Sequence, residues 1–233
     1  MRSIYEILKV NSYPGRGIVF GRLSEGETAV IAYFTMGRSE NSRNRIFIPE
    51  GGGLRILPFD ASKLEDPSLV IYDPVRISGG RTVVTNGDQT DTICEHLAAK
   101  GSLMSAMKTR EFEPDASYTP RISGIINPEG SYTLSIVKSN DGNSDSCLRF
   151  YFEYDSPVPG EGHFISTYKQ DGTPLPSFEG EPIKVAIGSD FKGFAYRLWD
   201  SLDFENKVSL FARSVSLSGG DTETIIFNKR EGD

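Results

Sequence analysis

Cysteine and histidine are the scarcest reactive residues in this 233-residue chain, with two of each. Cys94 and Cys147 stand far apart and fit no metal-binding or redox spacing. They leave a single disulfide open but cannot make the framework of a small secreted scaffold. His96 and His163 are too few for a histidine-based metal cluster or a histidine-centred triad. His96, beside Cys94, reads as an ordinary helix residue. The G-x-S-x-G elbow, the Walker loop and H-E-x-x-H are all missing, as is any N-x-S/T sequon. Gly15-Arg16-Gly17 with Gly21 is one residue out of step for a dinucleotide fingerprint and precedes a strand. No apolar run reaches membrane-spanning length. Met1 to Val10 lacks the apolar core of a signal peptide, so the expected compartment is the cytoplasm. Positive charge is also short: 25 Lys and Arg against 32 Asp and Glu give a net charge of -7. That balance argues against nonspecific nucleic-acid binding, which needs a basic surface. An anionic small molecule would need a local cluster of Arg or Lys working against the global field.

What remains is an ordinary soluble composition, 37% hydrophobic and 24% charged, long enough to bury a sizeable core. Repeats, low-complexity segments and linkers are lacking, so residues 1–233 are expected to form a single domain. Strands are predicted at Gly17 to Leu23, Ala29 to Phe34, Arg45 to Ile48, Leu54 to Leu57, Leu69 to Tyr72 and Val75 to Ile77. Ala29 to Phe34 has the character of a central strand covered on both faces. Pro74 marks a bend or an edge. Further strands are predicted at Arg121 to Ile126, Tyr132 to Val137, Leu148 to Tyr154, Phe164 to Tyr168, Val208 to Val215 and Thr224 to Phe227. A turn falls at Asp141-Gly142-Asn143 and a Pro/Gly-rich loop at Lys169 to Pro182. One helix is expected to start near Thr92, where Thr92 and Glu95 have capping-box spacing and Thr90 and Asp91 are rival caps. Gly101, as a C′ glycine, and Ser102, as a new N-cap, should break it in two. A second helical patch spans about Asp190 to Leu202, with Phe191, Phe194, Leu198 and Trp199 on one face. Many strands, two helical regions and antiparallel connections indicate an α+β protein.

Three stretches carry chemistry. Arg38 to Arg45 holds three arginines and no lysine, and a guanidinium offers a rigid fork to phosphate or carboxylate. The alternative is a solvated loop pairing with surface carboxylates. Val83 to Ile93 runs from a strand through Asn86-Gly87 into a helix start, an arrangement that can cradle an anion or simply be a capped helix after a tight turn. Arg110 to Asp115, leading to Thr119-Pro120-Arg121, sets three carboxylates beside Phe112. It reads either as a source of a tuned general acid or base or as a polar helix end.

Together these pieces match a known pattern. Tyr72, V-V-T-N-G-D-Q-T-D-T-I from Val83 to Ile93, Glu113 with Thr119-Pro120-Arg121-Ile122, and Ile165-Ser166-Thr167-Tyr168 occur in the order found in one family. Over roughly Phe20 to Tyr168 the sequence resembles the archaeal-type IMP cyclohydrolases. N-G-x-x-T-D-T-I and T-P-R-I at this separation are far more specific than either alone. The stretch before Phe20 has no placed counterpart, the chain after Tyr168 matches poorly, and insertions around Gly51 to Asp66 lengthen a loop.

The resemblance implies a four-layer αββα sandwich that looks like the N-terminal-nucleophile hydrolases. Those need Ser, Thr or Cys at position one after processing; with Met1-Arg2 here, no autoprocessing is expected. It implies dehydrative ring closure of 5-formamidoimidazole-4-carboxamide ribonucleotide (FAICAR) to IMP in purine synthesis, without cofactor or metal. It puts the catalytic tyrosine on Tyr72, the glutamate on Glu113 and the arginine on Arg43 or Arg45. For the phosphate, the anion affinity of helix starts suggests Asn86, Gly87, Thr90 and Asp91, with Arg38 or Arg121 as the cation. Thr119 and Tyr168 complete the candidate substrate-binding set. The partner is a purine nucleotide, and a homo-oligomer is left open. The rivals are an amidohydrolase on the same scaffold, with Cys94 or Ser39 as nucleophile, and a relative that binds purine nucleotides without turning them over.

Overall fold

The structure, a computed structural model, describes residues 1–63 and 71–230. Its body is two antiparallel sheets. One has six strands in the order β11 (Ile183–Ala186), β10 (Glu161–Ser166), β1 (Arg16–Arg22), β2 (Thr28–Met36), β12 (Lys207–Ser216) and β13 (Thr222–Asn228). The other has seven, in chain order: β3 (Ile46–Glu50), β4 (Gly53–Leu57), β5 (Val75–Ser78), β6 (Arg81–Thr85), β7 (Arg121–Ile126), β8 (Tyr132–Asn140) and β9 (Asn143–Tyr154). The chain is therefore α+β.

Strand alternation explains how the sheets stack. On β2, Ala29, Ile31 and Tyr33 point into a core shared with Leu54, Ile56, Val84, Ile122 and Leu134 of the second sheet. Val30, Ala32, Phe34 and Met36 point the other way, into a core with α1 (Ile4–Lys9) and α5 (Phe191–Ser201). A third core packs α3 (Gln89–Ala98) and α4 (Leu103–Met107) on the outer face of the second sheet through Val83, Ile125 and Val137. Between the sheets, Gly124 makes room for Phe20: a Cβ there would lie 2.5 Å from the Phe20 ring. Phe20 in turn meets Tyr132 edge-on at 5.6 Å. Each large side chain buried in this way contributes about 1.5–3 kcal/mol.

Most predicted strands and the second helix are present, and the differences have local causes. The first helix begins at Gln89, three residues before Thr92, so Thr90, Asp91 and Thr92 lie inside it. Its N-cap, Asp88, makes no side-chain cap bond, because its carboxylate bonds Arg110 and Arg121 instead. Neither Asn86 nor Gly87 has a positive φ. The helix does break before Ser102, which caps α4. The left-handed residue is Lys100 (φ 62), not Gly101. Lys100 N–H bonds Leu97 O and Gly101 N–H bonds His96 O, the Schellman arrangement shifted by one residue. Leu69 and Val70 lie outside the described residues. Ile71 and Tyr72 are not in a strand, although Ile56 N–H bonds Tyr72 O. The strands either side of Gly51-Gly52-Gly53 form the hairpin that their spacing suggests, β3 pairing with β4 from Ile46↔Leu57 to Glu50↔Gly53. β10 stops at Ser166, and Phe178 N–H then takes up Thr167 O. Both cysteines are free thiols. Among the described residues, no helix is long and apolar enough to cross a membrane.

Candidate functional site

Antiparallel pairing gathers chain ends at one end of the two sheets. Arg16, first in β1, lies opposite Thr35 near the end of β2. Thr167 and Tyr168, just past β10, bond back to Arg16 O and Pro14 O. Gly15 (φ 79) permits this approach, since a Cβ would lie 2.2 Å from Thr167 Oγ1 and 2.6 Å from the Tyr168 ring. From the second sheet come Arg45, just before β3, and the loop leading into β7. A cavity of about 320 Å³ opens among these ends, with Arg16, Arg38, Arg45, Glu113, Thr119 and Tyr168 in its wall.

The Glu113 loop is held from several sides. Glu113 N–H bonds Thr119 O at 2.9 Å. Asp115 Oδ1 accepts from Ser117 N–H at 3.1 Å and Thr119 N–H at 2.9 Å. The Thr119 hydroxyl meets the Tyr168 hydroxyl at 2.7 Å. Behind Glu113 lies buried Asn86, whose side-chain amide donates to Glu113 Oε1 at 3.4 Å and Pro120 O at 2.9 Å. Asn86 Oδ1 accepts from Gln89 Nε2 and Ile122 N–H, both at 2.9 Å. Asn86 is thereby fixed between β6 and β7 and holds the carboxylate from the protein side.

Arg16 Nη2 lies 3.9 Å from Glu113 Oε2; Glu113 is buried and the Arg16 side chain is 12% exposed. Arg45 is buried beside them. Among the described residues, the Nε atoms of Arg16 and Arg45 have no hydrogen-bond partner, nor does Asn41 Oδ1 in the same wall. Unpartnered buried guanidinium N–H groups are costly, so the cavity is built to receive an acceptor-rich ligand. Tyr72 stands just outside the wall, with its hydroxyl 3.0 Å from that of Tyr33 and close enough to influence both Arg16 and Arg45.

Burial sets the electrostatics. It pushes the Glu113 carboxyl above the usual range, against the pull of Arg16 and then Arg121, while Asp115 adds to the rise. Burial, then repulsion from Arg16, lowers the Arg45 pKa. Burial also works to lower that of Arg16, but Glu113 and Tyr72 outweigh it and the net shift is upward. The Tyr168 hydroxyl is pushed up to about 12 by burial, less the pull of Arg16. Two guanidiniums thus face one carboxylate that holds its proton more tightly than usual.

Of the residues singled out from the sequence, Arg38, Arg45, Glu113, Thr119 and Tyr168 meet at the cavity, with Tyr72 and Asn86 behind it. Arg43 ends a short helix, α2 (Glu40–Arg43), and turns elsewhere, donating to Gly37 O and Asn206 Oδ1. Arg121 bonds Asp88, Gln89 and Glu111 O. The N–H groups of Gly87, Thr90 and Asp91 are taken by Thr85 Oγ1, Gly87 O and Asp88 O. The Thr90 hydroxyl is buried against Thr85, and the Asp91 side chain pairs with Arg76 on the surface. Gly87 is packed tightly, its Cβ position lying 2.6 Å from Gln89 Oε1 and 2.9 Å from Arg121 Nη1. Gly87→Val would disturb the fold and does not isolate a ligand contact. Cys94 belongs to the helix-facing core, and the Ser39 hydroxyl is engaged with Ser42 in capping α2. Asp115, one of the three carboxylates of the Arg110 to Asp115 stretch, is in the wall, together with Arg16 and Tyr13, which no motif in the sequence marks. Arg16 was visible as a lone cation at the head of an apolar strand.

A sequence model of the family described as IMP cyclohydrolase-like protein matches residues 13–220. The match extends on both sides of the Phe20 to Tyr168 segment and takes in Arg16. The IMP cyclohydrolase of Halobacterium salinarum (strain R1) is 34% identical over 221 residues, covering 93% of this chain and 98% of the relative. That of Methanopyrus kandleri is 32% identical over 160 residues, covering 67% and 75%. That of Methanosphaera stadtmanae is 29% identical over 187 residues, covering 78% and 86%. With a buried Arg–Glu–Tyr constellation at one end of two stacked sheets and a family match running almost its whole length, the chain belongs to the IMP cyclohydrolase-like protein family.

Proposed function

We propose that this protein is an IMP cyclohydrolase, closing the pyrimidine ring of FAICAR with loss of water. The observation that carries the reading is the convergence of Arg16, Arg45, Tyr72 and Glu113 from four separate chain segments around one polar cavity. In the reaction the carboxamide nitrogen forms a bond to the formyl carbon of the same molecule. The formyl oxygen becomes a hydroxyl and then leaves as water. Its two protons derive from the carboxamide nitrogen and the formamido nitrogen. Both reacting groups are tethered already, so folding the substrate into a near-attack conformer supplies much of the acceleration.

Glu113 takes the proton from the carboxamide nitrogen and returns it to the departing oxygen. A carboxyl with a raised pKa suits both duties. Arg16 and Arg45, whose Nε–H groups have no acceptor among the described residues, stabilise the oxyanion growing on the formyl group. The Tyr72 hydroxyl assists Arg45 from behind. Arg38 stands at the rim, half exposed, paired with Asp171 at 2.7 Å and stacked over Tyr13. It is the cation proposed for the substrate phosphate, exchanging Asp171 for the ligand. Thr119 and Tyr168 shape the wall.

The layering of helices outside two stacked sheets supports the αββα sandwich that resembles the N-terminal-nucleophile hydrolases. The shared inter-sheet core supports a single domain over residues 1–233. The test is an ultraviolet assay of IMP formation from FAICAR, with Glu113→Gln as control. Turnover at the uncatalysed level in the wild type would defeat the proposal.

A further inference from the structure

A second cavity, of about 410 Å³, also touches α2, but through Arg43. Lys207, Lys229, Arg230 and Phe204 share its wall. Four cations gather here in a chain whose net charge is -7. Among the described residues, none of the four makes a salt bridge. Arg43 bonds a backbone carbonyl and Asn206. Lys229 Nζ bonds Phe204 O and Glu205 O and stands 4.6 Å from the Phe204 ring centre. Lys207 Nζ lies 4.3 Å over the Trp199 ring and bonds Trp199 O. Arg230 lies 5.3 Å over Phe59. Asp200 attracts Lys207, and Glu205 is the carboxylate residue in the wall. Carbonyl dipoles and ring faces position these cations, and of the four Arg230 is also attracted by Glu40 and Asp60.

We propose that this cavity is a binding site for a polyphosphate chain, separate from the substrate cavity. A single carboxylate or phosphate would leave most of this charge unmatched, whereas two or three linked phosphates present enough oxygens for several Arg and Lys donors together. The exposed ring of Phe204, 68% accessible, offers an apolar face beside them. The chain is carried by a free nucleoside di- or triphosphate or by an inorganic polyphosphate. The inference stands independently of the cyclohydrolase reading.

Trp199 is the sole tryptophan, and Lys207 rests on it, so its emission reports the site. Inorganic triphosphate and ATP are titrated into the full chain, followed by tryptophan fluorescence and calorimetry. The expected result is saturable binding that weakens as salt is raised. Lys229→Ala with Arg230→Ala is expected to raise Kd at least tenfold, and Lys229→Arg with Arg230→Lys to restore it. Saturating IMP is expected to leave Kd unchanged, and Glu113→Gln to bind as the wild type does. Equal affinity for the two probes assigns the chain alone as the ligand; tighter binding of ATP assigns a nucleotide. Absence of calorimetric binding, a Kd unmoved by the double replacement in a folded variant, or displacement by IMP would each overturn the proposal.

Discussion

Replacing Arg16 by glutamine tests the site at its electrostatic centre. Arg16 Nη2 lies 3.9 Å from Glu113 Oε2. At that separation and an effective dielectric of about 20, an ion pair is worth about 4 kcal/mol, or about three pH units at 1.36 kcal/mol per unit. Arg121 and Arg45 also act on Glu113 and remain in the variant, and water enters the vacated space. A rise of at least about one unit in the Glu113 pKa is therefore expected, above a value that burial has already raised. Because Glu113 must be ionised to take a proton, the acidic limb of the kcat/KM profile for IMP formation should move up by that amount. Loss of an oxyanion donor should lower kcat by about 10²–10³. The same shift appears in stability. A carboxyl whose folded pKa lies above its unfolded value contributes stability below the usual carboxylate range and loses it as pH climbs through the folded value. The deficit of Arg16→Gln against wild type should widen over that climb in denaturation followed by circular dichroism. Arg16→Lys should keep the limb near its wild-type position. A slower Arg16→Gln enzyme with an unmoved acidic limb would refute the coupling, and with it the role of Glu113 as the titrating base.

Arg45→Ala should lower kcat/KM by about 10²-fold or more, whereas Arg43→Ala should change it by less than threefold; steady-state kinetics on both variants distinguishes them. Tyr72→Phe should lower kcat about tenfold or more with KM little changed, while Tyr33→Phe, which removes only the partner hydroxyl, should keep most of the activity; each leaves one buried hydroxyl unpaired at about 1–3 kcal/mol in urea denaturation. Lys100→Gly should stabilise the protein by about 1 kcal/mol, because Lys100 holds the left-handed C′ position that glycine takes without a Cβ penalty; an unchanged urea midpoint would contradict the assignment.

The body of the fold was legible because strand periodicity and burial agree. Ala29 to Phe34 reads as a strand covered on both faces, and its alternate residues do enter two different cores. The helix start was misread because Thr92 and Glu95 satisfy a spacing rule, while the real entry at Asp88 is fixed by Arg110 and Arg121, residues distant in the chain. Lys100 is not legible as the left-handed residue because glycine usually fills that role and Gly101 stands next to it. Arg16 is hard to pick out because Gly15-Arg16-Gly17 carries the look of a failed dinucleotide fingerprint. The glycine before it serves the approach of Tyr168 instead.

Arg43 and Arg45 show where sequence spacing runs out. In an extended chain, residues two apart share a face, so both arginines had equal claim to the site. Here α2 ends at Arg43, and Asn44 turns the chain at φ -83 and ψ 54. The Asn44 side chain bonds Asp60 N–H and O, both at 2.8 Å. That pair of bonds pins the backbone between the two arginines and sends their side chains to different cavities. Nothing in Arg43-Asn44-Arg45 announces this, because the partner is fifteen residues beyond Arg45. The same turn gives the site its charge balance. With Arg45 inward beside Arg16, two guanidiniums meet one carboxylate, and the surplus N–H groups are left for the substrate. With Arg43 inward as well, a further cation would act on Glu113 beside Arg16, Arg121 and Arg45 and pull down the raised pKa that lets one carboxyl both take and return a proton.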